Sequence, residues 1–269
     1  MTTDADRSPL DLACPVAPAP DRVVLGHGSG GTLTTRLLRE VFLPVFDDPI
    51  LHRLEDAAVL AAPPPGARIA ITTDAFVVRP AVFPGGDVGS LAVAGTVNDL
   101  AVAGAIPVAI TAAFVIEEGT PLELLRRIAR SMADAARSVP VRLVAADTKV
   151  VEHGKGDGVF VTTTGLGHVP PGRGLALAAA AVGDVVLVSG PIGDHGIAVL
   201  SVREGLAFET DLVSDVAPLA GLIAALLAAC PDARGLRDPT RGGLAGGREA
   251  IAVVGRARPL GRHHRRPER

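Results

Sequence analysis

Residues 89–116 read GSLAVAGTVNDLAVAGAIPVAITAAFVI. The first half is Ala-rich, with apolar residues three and four apart, which predicts a buried helix over 89–104; the β-branched run from Pro107 to Ile116 predicts a strand immediately after it. Asn98 and Asp99 interrupt the apolar face of that helix. An unpaired carboxylate in such a setting costs several kcal/mol, so a metal, a ligand or a structural partner has to compensate it. On residue chemistry alone, ligand binding and a capping or ion-pair role are evenly matched.

Downstream of this stretch, Pro121 stands after Thr120 at a first-turn position, and Leu122, Leu125, Ile128 and Met132 recur at helical spacing, predicting an amphipathic helix over 121–138. Val141 to Val151 and Asp157 to His168 have strand character. Upstream, Gly26-His27-Gly28-Ser29-Gly30-Gly31 feeds a helix marked by Leu33, Leu37, Leu38 and Val41. Val59–Ala62, Arg68–Thr73 and Val77–Val78 read as antiparallel strands around the turn Pro63-Pro64-Pro65-Gly66. Helices and strands in this mixture indicate an α+β chain.

The punctuation Pro170-Pro171-Gly172-Arg173-Gly174 reads as a domain linker. The expected organisation is a disordered leader over 1–20, a first domain over 21–169, a second domain over 170–245, and an aberrant Arg-rich tail over 246–269. Within the second domain, Asp184–Ser189 reads as a strand and Gly190–Gly196 as a loop, with two helices after it, one ending near Glu204 and one spanning Val216–Ala229.

Hydrophobic residues make up 48% of the 269-residue chain and aromatics only 3%, which suits a fine-grained core of helices on sheet. A net charge of -3 gives no electrostatic reason to expect nucleic acid or an anionic membrane as partner. With no long apolar span and no signal-like N-terminus, the expectation is a cytoplasmic protein. Cys14 and Cys230 stand far apart outside any CxxC pair, so a disulfide framework or zinc site has no support.

Phosphate chemistry needs close backbone N–H groups, carboxylates for Mg²⁺ and a cation on the transferring group. The Gly26–Gly31 loop offers the first, although it lacks the ending of a P-loop and reads equally well as a plain turn. Asp56, Asp74 and Asp99 beside small residues offer the second, and Asp147-Thr148-Lys149 after a strand offers the third, although a plain surface Lys after a strand is the commoner case. Gly193-Asp194-His195-Gly196 opens a helix whose first amides suit an anion, or equally a cap.

In order along the chain, seven segments resemble the HypE family of the PurM-like ATP-binding group. They are Gly26–Gly31, Glu55-Asp56-Ala57-Ala58-Val59, Thr72-Thr73-Asp74, Gly95–Ala101, Ala146–Val151, Gly193–Gly196 and Arg237–Leu244. The resemblance implies a PurM-like two-domain fold: an N-terminal ATP-binding α/β domain that forms a β-barrel with its twin in a homodimer, and a C-terminal α/β domain that is incomplete here. It also implies ATP and Mg²⁺ as cofactors. Carried over by position, Asp56, Asp74 and Asp99 look like metal ligands and Lys149 like the catalytic cation on the phosphates. Gly28, Gly30, Gly31, Asn98, Asp147, Thr148, Asp194, His195 and Asp238 look like nucleotide-binding positions.

The implied activity is ATP-dependent dehydration of a protein-bound S-carbamoyl group to a thiocyanate, the source of the cyanide ligand of a nickel-iron hydrogenase. A carbamoyltransferase and an iron-scaffold complex are the implied partners. Selenophosphate synthetase is disfavoured because Gly26–Thr32 carries neither the reactive Cys nor the Lys of such enzymes, and Asp147–Val151 with Asp194-His195-Gly196 disfavours a purine ligase or thiamine phosphate kinase. The family's C-terminal Pro-Arg-Ile-Cys tail has no counterpart here: the resemblance stops at Ala245 and the chain ends Arg-Pro-Glu-Arg. That departure keeps a second expectation in play, a non-catalytic ATP-binding or partner-binding remnant.

Overall fold

The protein is described by a computed structural model covering residues 20–206, 212–240 and 243–245. The leader expected over 1–20 (except its last residue), Cys14 and the tail expected over 246–269 lie outside the described residues.

The elements in chain order are α1 (Thr32–Leu37), β1 (Arg68–Phe76), β2 (Val82–Phe83), β3 (Gly86–Asp87), α2 (Val88–Val102), β4 (Ile106–Glu117), α3 (Leu122–Ser138), β5 (Arg142–Val151), β6 (Val159–Val169), α4 (Asp194–Glu204) and α5 (Ala220–Ala229). Four strands form one sheet in the order β1-β6-β4-β5. β4 and β5 run parallel, joined by α3 as a crossover, while β6 is antiparallel to both β1 and β4. A parallel pair needs such a long connection, which is why the amphipathic segment 121–138 sits between two strands.

α2 and α3 cover one face of the sheet. α3 buries Leu122, Leu125, Ile128 and Met132, the positions its sequence period selects. α2 buries residues all around its circumference, including Thr96 and Asn98, because it is enclosed by the sheet, α3 and α5. Its N-terminus is capped by buried Asp87, whose Oδ1 accepts from the Gly89 and Ser90 amides at 2.9 and 3.2 Å; caps of this kind contribute about 1 kcal/mol. On the same side, Phe42 packs on Phe114 of β4 with ring centroids 4.9 Å apart, and Phe46 lies 5.8 Å from Phe42.

The other face of the sheet is open. Ile69 and Ile71 on β1 are 65% and 72% exposed, beside Thr73 and the half-buried Leu166 of β6. Alternation along β1 turns Ala70, Thr72, Asp74 and Phe76 inward toward α2 and their neighbours outward. Among the described residues no helix is long and apolar enough to cross a membrane.

Several elements differ from the expectations. Val59–Ala62 and Val77–Val78 are not strands, and β1 pairs with the distant β6 rather than with a sequence neighbour. Asp184–Ser189 is also irregular. Among the described residues no strand lies beside it, and an apolar run without a ladder partner has nothing to fix it as a strand. The helix expected over 216–229 starts only at Ala220, because the backbone of 216–219 bonds to side chains and Pro218 disfavours the helical conformation at Ala217.

Candidate functional site

Three carboxylates from different elements converge on one side of α2. Asp74 faces inward from β1, Asp99 stands on the last turns of α2, and Asp238 arrives on the segment beyond α5. Burial, and then the charges of Asp99 and Asp74, push the Asp238 carboxyl up to about 6 against the opposing pull of Arg237. Thr72, two residues before Asp74 and on the same face, donates to Asp99 Oδ2 at 2.8 Å. One oxygen of Asp99 is thereby oriented by the sheet. Asp74 lies near Gly95, one helical turn before Asp99, where an added Cβ would come within 3.8 Å of Asp74 Oδ2.

Among the described residues no three His, Cys, Asp or Glu side chains are drawn together as a finished metal cage. Mutual repulsion among Asp74, Asp99 and Asp238 nonetheless fits a divalent cation: Mg²⁺ keeps several waters and is commonly held by one or two carboxylates together with substrate phosphates. Asp56 sits apart from any element, exposed in the loop before β1.

The second group of expected site residues lies elsewhere. Asp147, Thr148 and Lys149 belong to β5, the opposite edge of the sheet from β1. Asp147 and Lys149 are exposed, and they share the open face with their β4 partners Ala113 and Val115. Gly28 packs directly on this strand: an added Cβ would stand 2.9 Å from the Val150 amide. The Gly-rich loop is held by short-range bonds, with Val24 donating to His27 Nδ1 at 3.0 Å, Gly30 donating to Thr34 Oγ1 at 3.0 Å and Thr34 donating to the His27 carbonyl at 2.8 Å. Gly30 takes a φ of 80° and has open space around it, while a Cβ added at Gly31 would meet Ser29 Oγ at 3.6 Å.

Strand register measures the separation. Asp74 pairs with Thr163, Thr163 with Ala112, and Ala112 with Ala146, so the two groups stand three strand spacings apart, roughly 14 Å. Asp74, Asp99 and Asp238 therefore gather at one edge, and the Gly loop lies with Asp147 and Lys149 at the other.

The third group, Asp194 and His195, opens α4. Here the first amides are already occupied: Asp215 accepts from Gly193 N at 3.1 Å and from His195 N at 2.9 Å. The His195 ring stands edge-on to Phe83 and 3.0 Å from Ser214 Oγ; burial lowers its pKa, partly offset by the Asp215 charge. Beside it a cleft of about 410 Å³ opens between β1 and α4, lined by Phe76, Val78, Leu91, His195, Val199 and Arg203. Asn98 is buried and bonds to backbone at both ends of its amide.

Sequence reasoning does not single out Thr72 or Asp215 as site residues. Thr72 belongs to the Thr72-Thr73-Asp74 motif, two residues from Asp74 on a strand, and that period is its signal. Asp215 is twenty residues from the His195 amide it caps, and nothing local announces it.

Residues 54–169 match the N-terminal domain of AIR synthase related proteins and residues 181–255 match their C-terminal domain. The chain is 54% identical over 224 residues to the carbamoyl dehydratase HypE of Cupriavidus necator, covering 83% of this chain and 64% of that relative. In structure it is similar to the hydrogenase maturation protein HypE in complex with ATP, at a TM-score of 0.82 and 44% identity, covering 86% of this chain and 68% of that one. It is also similar to a HypE–HypF complex, at a TM-score of 0.68 and 48% identity, covering 84% and 71%. The chain thus spans a little under two thirds of the curated relative's length. With two successive AIR synthase related domains folded as in HypE, the chain belongs to the HypE family.

Proposed function

We propose that this chain provides the nucleotide site of an ATP-dependent carbamoyl dehydratase, which converts a protein-bound S-carbamoyl group to a thiocyanate for the cyanide ligand of a nickel-iron hydrogenase. The observation that carries the reading is the convergence of Asp74, Asp99 and Asp238 from both domains. Likeness to HypE in complex with ATP supports the nucleotide.

An amide oxygen is a poor leaving group, and ATP with Mg²⁺, when bound, would supply the phosphoryl group that makes it a good one. Asp74 and Asp99 would hold the cation, with Asp238 as a further ligand. Thr72 keeps Asp99 turned toward them. Lys149 offsets negative charge on the phosphates, and the open backbone at Gly30 and Gly31 lets the chain approach them. Loss of phosphate with removal of the N–H proton then leaves the nitrile, so positioning and charge neutralisation carry the catalysis.

Lys149 and Asp74 stand too far apart in one protomer to share one triphosphate head directly. A homodimer shortens this separation if the open faces of two sheets pack together and close eight strands into a barrel, bringing the β5 edge of one protomer to the β1 edge of its partner. The exposed Ile69 and Ile71 support such a face. Likeness to HypE as it stands with HypF supports a carbamoyltransferase as donor partner, and an iron-scaffold complex is the receiver.

Equilibrium titration of the full chain with Mg-ATP, then phosphate release in the presence of an S-carbamoylated peptide ending in Pro-Arg-Ile-Cys, tests the reading. Saturable binding and carbamoyl-dependent phosphate release are expected. Binding without turnover would leave a non-catalytic nucleotide-binding protein instead.

A further inference from the structure

Asn98 is a buried polar residue of α2 that the proposed chemistry does not use, and it is 8% exposed. Its Nδ2 donates to the Ala217 carbonyl at 3.0 Å, and its Oδ1 accepts from the Leu219 amide at 2.7 Å. Both ends of the amide are thus committed to one segment, 214–219, which crosses from the second domain onto the first. The same segment is fastened at its other end. Ser214 N donates to the Pro84 carbonyl at 2.9 Å, and Asp215 grips the first amides of α4. Gly85 makes room for it, since at its φ of 89° a Cβ would stand 2.8 Å from Ser214 N.

Beyond this strap the chain leads to the carboxylates. α5 starts one residue after Leu219. It lies on α2 through Ile223 and Leu227 against Ala101, and the chain then returns past Leu236, packed on the same cluster, to Asp238. Asn98 and Asp99 are adjacent in sequence, so they point about 100° apart around the helix. One fixes where the excursion of residues 219–238 begins. The other meets the carboxylate at its end.

We propose that Asn98 is a positioning residue: it fastens the 214–219 strap to α2 and so sets Asp238 against Asp74 and Asp99, without touching the nucleotide. This rests on the reading that the three carboxylates form the cation-nucleotide site. It differs from a nucleotide-ligand role for Asn98, in which the amide would have to leave the strap.

Hydrogen exchange of the nucleotide-free full chain, paired with Mg-ATP titration, separates the two roles. In Asn98→Ala the Leu219 amide loses its acceptor, and exchange across 219–223 rises by about tenfold or more. Mg-ATP affinity falls with it, by about fivefold to fiftyfold. Asp215→Ala removes an exposed side chain and leaves the core untouched; it speeds exchange at 193–197 and 213–216 and weakens Mg-ATP binding in the same direction by less. Asn98→Asp keeps the acceptor for Leu219 and loses the donor to Ala217, so it retains protection at 219 and gives an intermediate affinity. Should Asn98→Ala fail to fold, the other two variants carry the test.

Unchanged exchange together with lost Mg-ATP affinity overturns the proposal in favour of direct contact. Faster exchange with unchanged affinity overturns it too, because the strap then does not reach the site. If the wild-type chain binds no Mg-ATP, the nucleotide reading fails, while the exchange data still report whether the tie exists.

Discussion

The two edges of the sheet differ in how they present the residues of the proposed site. At β1, Asp74 is turned inward, half-buried, and joined by Asp99 and Asp238 from a helix and a second domain. At β5, Lys149 is turned outward and exposed, with a Gly-rich loop packed on the adjoining Val150. Carboxylates can be crowded only where the fold forces them, so that edge is assembled from three separate pieces of chain. The lysine edge is local: one strand and the loop lying on it. Under the proposed function each edge alone is incomplete as a phosphate site, since one gathers carboxylates and the other presents the lysine.

The largest expected effects test whether both halves act on one substrate. Asp99→Ala and Lys149→Ala should each lower nucleotide turnover by at least about 100-fold, the usual scale for removing a group that meets charge developing in the transition state. Steady-state phosphate release checks this. A mixture of the two inactive variants then tells where the halves meet. If one site is built from the β1 edge of one protomer and the β5 edge of another, half the randomly re-formed dimers are mixed and each restores one site of two, returning roughly a quarter of wild-type activity. No recovery would mean that a single protomer completes its own site.

A smaller effect is expected from Ile71→Glu on the open face. Ile71 is 72% exposed within one protomer, so the substitution should leave the protomer's own stability within about 0.5 kcal/mol. In a face-to-face dimer it buries a charge without a partner, and sedimentation should show a monomer with turnover reduced about tenfold or more. A dimer that persists with full activity would move the interface to another surface.

Much of the fold was legible because its central elements state their own period. α2, β4, α3, β5 and β6 lie within a residue or two of where the apolar spacing puts them. The misread pieces depend on distant partners. Val59–Ala62 has strand composition but no ladder, and 216–219 has helical composition but donates to and accepts from Asn98 and Ser214 instead. The candidate site was legible only as residue types and motifs. Its partition between two edges was not, because strand order is a long-range fact: Asp74 and Lys149 are separated by β6 and β4, and β6 comes after both of them in sequence. The occupancy of the α4 amides by Asp215 was hidden for the same reason.

The smallest expected effect isolates the repulsion at the carboxylate edge, and its sign can be worked out. Asp238 is held at about 6, first by burial and then by Asp99 and Asp74, above its value of about 3.9 in an unfolded chain. The folded state therefore keeps the proton more tightly. Its contribution to stability is fully present below about pH 4 and is lost as pH rises through 6. Asp238→Asn stays neutral throughout, so it should match the wild type near pH 4 and exceed it at pH 7.5. The full shift would correspond to about 3 kcal/mol, but the carboxyl still meets solvent, and screening reduces the expected difference to about 1 kcal/mol, or roughly 2–4 °C in melting temperature. Thermal melts of both proteins at the two pH values check it. Adding Mg²⁺ with nucleotide should stabilise the wild type more than the variant, since only the wild type has the third carboxylate for the cation to neutralise. An equal gain in both would leave Asp238 near the cation but outside its shell.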